Sequence, residues 1–246
     1  MTYLSRKTAA LLGRFGRGPR GAGPRFEQTQ WGWCKAHVCK GVEFLRRNGQ
    51  VGRHLYEFGC YRGATLRAAV ELFYAYGLPL DRAFGFDSFR GLPKETAGVE
   101  LFPLFQEGVF GDVSELATCR NTVYVNGWFS DLTAAHVTEH AMGSAALVHV
   151  DADLHLSTVQ CLTFMFSNNL LGPGAVVAYD EFKSTSTLRA GGESLAHLEI
   201  TERFGVRWRE FFRNVYFDRT EIWQNAFVIE QVGAKSPRHG IVGFAG

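Results

Sequence analysis

The run Ala145-Ala-Leu-Val-His-Val-Asp-Ala-Asp-Leu154 constrains this chain most. A short apolar stretch without alternation reads as a parallel strand buried on both faces. It stops abruptly on Asp151 and Asp153. A second run, Gly174-Ala-Val-Val-Ala-Tyr-Asp-Glu181, repeats the design and ends on Asp180 and Glu181. Carboxylates at the carboxyl ends of such strands face the crevice where open α/β sheets bind ligands. Residues two apart on an extended segment point the same way, so Asp151 and Asp153 are expected to face one site. Neighbouring strands lie ~4.8 Å apart, which would let all four acids surround one hard cation. Oxygen donors without several Cys or His suit Mg²⁺, Mn²⁺ or Ca²⁺ rather than zinc. The bland alternative is that strand-end acids cap the next helices or pair with Arg; for two acidic pairs ending successive strands, the ligand reading is preferred.

Upstream, His54-Leu-Tyr-Glu-Phe-Gly-Cys-Tyr-Arg-Gly63 reads as strand, glycine turn and helix start, the helix continuing to about Phe73. Gly59 and Gly63 would let the backbone approach a ligand closely, or merely make a tight turn. Ala83-Phe-Gly-Phe-Asp87 is a second strand ending on an acid, 30 residues after Glu57. That is where a βαβ unit holds ribose hydroxyls, and this reading is favoured over Asp87 serving only as a cap beside Ser88. There is no Gly-x-Gly-x-x-Gly, so the site looks built for an adenosine without a pyrophosphate. Residues 92–118 read as a long excursion that supplies a lid or substrate wall. Thr122–Asn126 is a third strand leading to Gly127-Trp128, where Trp128 would flank a flat base or fill core.

Alternation of strands and helices gives an α/β fold, a doubly wound and mostly parallel sheet of Rossmann-like type. Helices are expected over Thr29–Asn48, from Ser157 or Thr158 to Leu171, and over Leu188–Phe204. Val206–Phe217 and Asn225–Gln231 read as closing strands, antiparallel at least in part. Residues 1–26 read as a basic flexible N-terminal arm and 27–246 as one domain.

Six basic residues and no acid precede Glu27, leaving 20 basic against 24 acidic residues for the body, a net −4. Nucleic-acid binding is not expected from such a surface. Five scattered cysteines, no CxxC pair and no apolar stretch of membrane-spanning length point to a soluble, cytoplasmic protein with reduced thiols. Cys34, His37 and Cys39 would make half a zinc site, but no second half follows.

Five segments resemble the macrocin O-methyltransferase (TylF-type) family: Glu57-Phe-Gly-x-Tyr-Arg-Gly63, Gly85-Phe-Asp-Ser-Phe-x-Gly-Leu-Pro93, Gly127-Trp-Phe-Ser-Asp131, Val150-Asp-Ala-Asp-Leu154 and the Asp180-Glu181 ending. The resemblance implies a class I S-adenosylmethionine-dependent enzyme that methylates a small-molecule hydroxyl, typically on a sugar of a natural product, with a divalent metal such as Mg²⁺. It implies that Glu57, Gly59 and Gly63 line the methionine side of the cofactor. Asp87 and Ser88 would take the ribose, and Gly127 and Trp128 the adenine. Asp151, Asp180 and Glu181 would be metal ligands, and Asp153 the general base. Glu181 departs from the family, which usually has a second Asp there. Such enzymes often form dimers, and the basic arm is compatible with a homo-oligomer. Two other readings are a metal-dependent glycosyltransferase using Asp151-x-Asp153 and a binding module on a methyltransferase-like scaffold.

Overall fold

The computed structural model describes residues 26–29, 32–94, 107–111, 113, 115–184, 192–217 and 221–233. Its centre is a seven-stranded sheet. In chain order the strands of this sheet are β3 (His54–Phe58), β4 (Arg82–Asp87), β5 (Thr122–Asn126), β6 (Ala145–Val150), β7 (Val176–Ser184), β8 (Arg207–Phe217) and β9 (Glu221–Gln231). A separate hairpin, β1 (Phe26–Thr29) with β2 (Gly32–Lys35), precedes them. The helices are α1 (Ala36–Asn48), α2 (Ala64–Ala75), α3 (Ala134–Glu139), α4 (His155–Ser167) and α5 (Gly192–Phe204).

The sheet runs β5-β4-β3-β6-β7-β9-β8. The first five strands in that order are parallel; β9 runs antiparallel to both β7 and β8. The chain reverses its direction of growth between β3 and β6, so the crevice at their carboxyl ends is the topological switch point.

Strand alternation sorts side chains onto two faces. Tyr56, Phe58, Phe84, Phe86, Val148, Val150, Val177 and Tyr179 pack with Cys161, Leu162 and Met165 of α4 and Ile200 of α5. Leu55, Ala83, Leu147 and Val176 pack on the other face with Val38, Val42 and Leu45 of α1 and Leu66, Ala69 and Phe73 of α2. Glu57, His149 and Asp180 have the parity of this second face, under the start of α1. Burial of both faces explains why β3 and β6 read as unbroken apolar runs.

Three local expectations are corrected. The segment expected to be helical from Thr29 instead holds β2, and the helix begins at Ala36. Ser157 and Thr158 do not cap α4, which starts at His155 and ends at Ser167; Thr158 lies inside it and its hydroxyl donates to the Leu154 carbonyl at 3.0 Å. Asp151 and Asp153 do not share an extended segment. β6 ends at Val150, Asp153 has φ +60°, and Leu154 N–H donates to the Ala152 carbonyl at 2.6 Å, closing a tight turn. Asp tolerates that left-handed geometry better than most residues. Residues 1–25 of the basic arm and 95–106 of the excursion lie outside the described residues.

Candidate active site

At the switch point the first turn folds around Gly59. Gly59 N–H donates to the Phe86 carbonyl at 2.9 Å, and Asp151 N–H donates to the Phe58 carbonyl at 2.9 Å. Gly59 has φ +85°, and a β-carbon there would run into the main-chain carbonyl of Asp151. Glycine is required for both reasons. Gly63, at φ +74°, precedes α2, and a β-carbon there would strike the Tyr124 hydroxyl.

Asp87 ends β4 beside this turn. Its Oδ2 accepts the Tyr61 N–H at 2.7 Å and its Oδ1 the Phe89 N–H at 2.8 Å. Burial raises its pKa against these donors. Gly127 N–H reaches the Asp87 carbonyl at 3.0 Å, and the space where a Gly127 side chain would stand is open. Gly59, Gly63, Asp87 and Gly127 are thus brought to one crevice, and Glu57 lies buried behind the first turn against His149. Trp128 is half-buried at the entrance to the 3₁₀ turn Phe129–Asp131. Ser88 is buried, and its hydroxyl is spent on its own turn, donating to the Gly91 carbonyl at 2.9 Å and accepting Arg90 N–H at 3.1 Å. The described parts of the excursion return to the same turn: Ala117 N–H donates to the Arg62 carbonyl at 2.8 Å, and the Phe110 ring meets Tyr61 edge-on.

The acids form two groups. Asp151 and Asp180 meet across the Lys35 ammonium, whose Nζ lies 2.6 Å from Asp151 Oδ2 and 2.8 Å from Asp180 Oδ2. Asp180 Oδ1 accepts a bond from Gln224 Nε2 at 2.6 Å. Glu181 follows on the next position of β7, where strand alternation favours the opposite face. Its main-chain N–H donates to Glu193 Oε2 of α5 at 3.0 Å. Among the described residues Glu193 Oε1 is buried without a hydrogen-bond partner.

Beneath Lys35 runs a buried polar chain. Glu57 Oε1 lies 2.8 Å from His149 Nδ1, and His149 Nε2 lies 3.0 Å from His37 Nε2. Glu57 Oε1 accepts from His149 Nδ1, and the direction of the bond between His149 and His37 follows from the tautomers of the two rings. Among the described residues His37 Nδ1 has no hydrogen-bond partner. Burial, with the neighbouring His149 and Lys35, lowers the His37 pKa well below its ordinary value, which keeps the ring neutral.

Charge balance follows the contacts. Burial alone would lower the Lys35 pKa, but the Asp151 and Asp180 carboxylates outweigh it and hold the ammonium charged. Asp180 overcomes its own burial penalty chiefly through the Lys35 ammonium, and its pKa falls well below the usual range. Asp151 has less support; burial raises it to about 6 despite Lys35. Burial also pushes up Glu181 and Glu193, and neighbouring carboxylates, Asp153 foremost for Glu181 and Asp151 for Glu193, push the same way.

Among the described residues, two sets of side chains bring potential metal-ligand atoms within 4.8 Å of one another: His37, His149 and Asp180, and Glu57, His149 and Asp151. Sequence reading missed Lys35, His149, Glu193 and Gln224, and set His37 aside as half a zinc site. One usable signal was His149 itself, a polar residue in an apolar strand that stands in register with Glu57 of β3.

The overall arrangement is similar to solved structures. One is CalS11, a calicheamicin methyltransferase, with a TM-score of 0.55 and 20% identity over 82% of this chain and 87% of that one. Another is the O-methyltransferase NovP, with a TM-score of 0.52 and 19% identity over 76% of this chain and 77% of that one. The fold is that of the class I methyltransferases. Within it, the antiparallel β9 inserted between β7 and β8 is what separates this sheet from an all-parallel dinucleotide-binding one. No protein family description matches the sequence, and no curated protein does. Among the described residues no helix is long and apolar enough to cross a membrane.

Proposed function

We propose that this chain is an S-adenosylmethionine-dependent O-methyltransferase of the macrocin type, acting on a hydroxyl of a small molecule, a sugar or glycosylated natural product. The observation that carries the reading is the crevice at the β3/β6 switch point, where the first turn, Asp87 and Gly127 converge. Its free valences suit the cofactor. Among the described residues Glu57 Oε2 is buried without a hydrogen-bond partner, and it would accept from a methionine ammonium. Asp87 keeps acceptor capacity beyond its two backbone bonds for ribose hydroxyls, and the open space at Gly127 leaves room for a base. The names of the two fold neighbours, both methyltransferases, agree with this.

The cofactor would supply a methyl group on a sulfonium. The chain's part is to hold the acceptor hydroxyl in line with that methyl and to take its proton. Asp153, in the turn that leaves β6, is the proposed base. As the oxygen–carbon bond forms, the carbon–sulfur bond breaks, the hydroxyl proton goes to Asp153 Oδ, and the products are a methyl ether and a neutral thioether. Holding the partners together supplies much of the rate in such a displacement.

Magnesium belongs to the macrocin reading, with Asp151, Asp180 and Glu181 as ligands, and the donor set tests it. As arranged, these residues do not fit a divalent ion. The space between Asp151 and Asp180 is filled by the Lys35 ammonium, and the second oxygen of Asp180 is taken by Gln224. No step is therefore routed through a metal. Nor does any contact favour a glycosyltransferase, which would need Asp151 and Asp153 together on a metal-bound diphosphate.

Thermal denaturation tests the reading. S-adenosylmethionine or S-adenosylhomocysteine should raise the melting temperature without added metal, because each binds the folded state. A rise with nucleotide-sugars and none with either sulfur cofactor would overturn it.

A further inference from the structure

We infer that Lys35 is the built-in cation of the acid site, standing where a divalent metal would otherwise bridge Asp151 and Asp180, and that the site works without a divalent metal. Occupancy of the site by Lys35 follows from geometry alone, and turnover without a divalent metal rests on the methyl-transfer reading above.

Lys35 is a residue out of place by local rules. It is the N-cap of α1, with no side-chain capping bond. Ser, Thr, Asp or Asn would satisfy the free N–H groups there, and a cation opposes the positive end of the helix dipole. Such a violation marks a site where another demand prevails. The demand is visible: the side chain reaches two carboxylates that lie 116 and 145 residues further along the chain. Main-chain placement fixes the reach, because Lys35 joins β2 to a helix whose Val38, Val42 and Leu45 are packed on the sheet.

The surrounding donors are committed in the same sense. Each nearby set that could chelate a metal includes His149. His149 spends Nδ1 on Glu57 and Nε2 on His37. Asp180 spends Oδ2 on Lys35 and Oδ1 on Gln224. A divalent ion within ligand distance of Asp151 and Asp180 would also face the ammonium directly, and like charges at such range repel strongly in a buried site. The ammonium already supplies what a metal would bring first, positive charge that keeps two carboxylates together. It supplies it as a tethered group that chelators do not remove.

Mn²⁺ is the probe, followed by electron paramagnetic resonance on the full chain. Wild type should leave the free-Mn²⁺ signal at the buffer value up to millimolar metal. K35M should gain a bound Mn²⁺, lost again in K35M combined with D180N. Wild-type binding of Mn²⁺ that D180N abolishes would overturn the inference. So would a K35M that is folded by circular dichroism and gains no Mn²⁺. Should K35M fail to fold, the wild-type and D180N titrations still decide, since absence of D180-dependent binding supports the inference and its presence sinks it. Melting-temperature shifts with S-adenosylmethionine, run in parallel with chelator present, report on the cofactor reading separately.

Discussion

Gly59 presses its bare α-carbon against the main-chain carbonyl of Asp151, in space that a single methyl group would fill. The turn assigned to the cofactor and the loop that carries the acids are therefore one rigid contact. G59A meets both a left-handed backbone, φ +85°, and a backbone collision that no rotamer change relieves. Strain of this kind costs about 1–3 kcal/mol. Urea denaturation should show that loss, with the S-adenosylmethionine dissociation constant rising as well. Unchanged stability and binding would mean that the two loops are not coupled.

Asp153→Asn removes the proposed base and keeps the size of the side chain. Turnover, followed as S-adenosylhomocysteine release with an acceptor that supports the wild type, should fall roughly 10²–10⁴-fold, the usual contribution of a positioned base. Cofactor affinity should stay at the wild-type value. Near wild-type turnover would reassign the base, with Glu181 the next carboxylate to examine.

Asp87→Asn trades a carboxylate for an amide at the ribose position. Hydrogen bonds to a charged acceptor are worth about 1.5–3 kcal/mol, so S-adenosylmethionine should bind roughly ten- to a hundredfold more weakly by calorimetry. Asp87 also accepts the Tyr61 and Phe89 N–H groups, so melting temperature without ligand should be recorded beside it. A fall in stability with affinity intact would make Asp87 a turn residue only.

His197 predicts acid sensitivity. Its ring is buried among Tyr179, Trp208 and Phe227, with Nδ1 3.0 Å from the Tyr179 hydroxyl, and burial lowers its pKa from 6.5 to about 4. Between those values the unfolded chain binds a proton that the folded chain refuses, so stability is complete above about pH 6.5 and is lost as pH falls toward 4. The difference amounts to roughly 3 kcal/mol at most. Neutral His37 acts in the same sense, whereas the raised carboxyls of Glu181 and Glu193 act in the opposite one. Comparing H197Q with wild type isolates the histidine: the mutant should start less stable near neutral pH and fall less steeply with acid. Parallel slopes would refute the assignment.

The strands that end on acids were legible because burial on both faces erases alternation, and a carboxylate stands out where such a run stops. Asp87, Asp151 and Asp180 were found that way, and Asp151 and Asp180 meet at Lys35. Helix starts were less legible. Ser157 and Thr158 look like caps by type, but the helix begins earlier, at His155, without a side-chain cap. Least legible was Lys35. Near a cysteine, a histidine and helical spacing, it reads as an ordinary solvated lysine, and its partners lie more than 100 residues away. Gln224 was hidden as well, 44 residues from Asp180. Side-chain pairs of that separation leave no local period, and only the crossing of the sheet brings them together.

The bond from Gln224 to Asp180 has a consequence for how the protein is born. Gln224 belongs to β9, which also covers the edge of β7. Synthesis delivers Lys35 first, both aspartates later and this strand after them. Until it emerges from the ribosome, β7 has an open edge, a recognised hazard for pairing with the wrong chain. The same strand that pairs with β7 also completes the bonding of Asp180, so a chain truncated before Glu221 would lose edge protection and charge arrangement together.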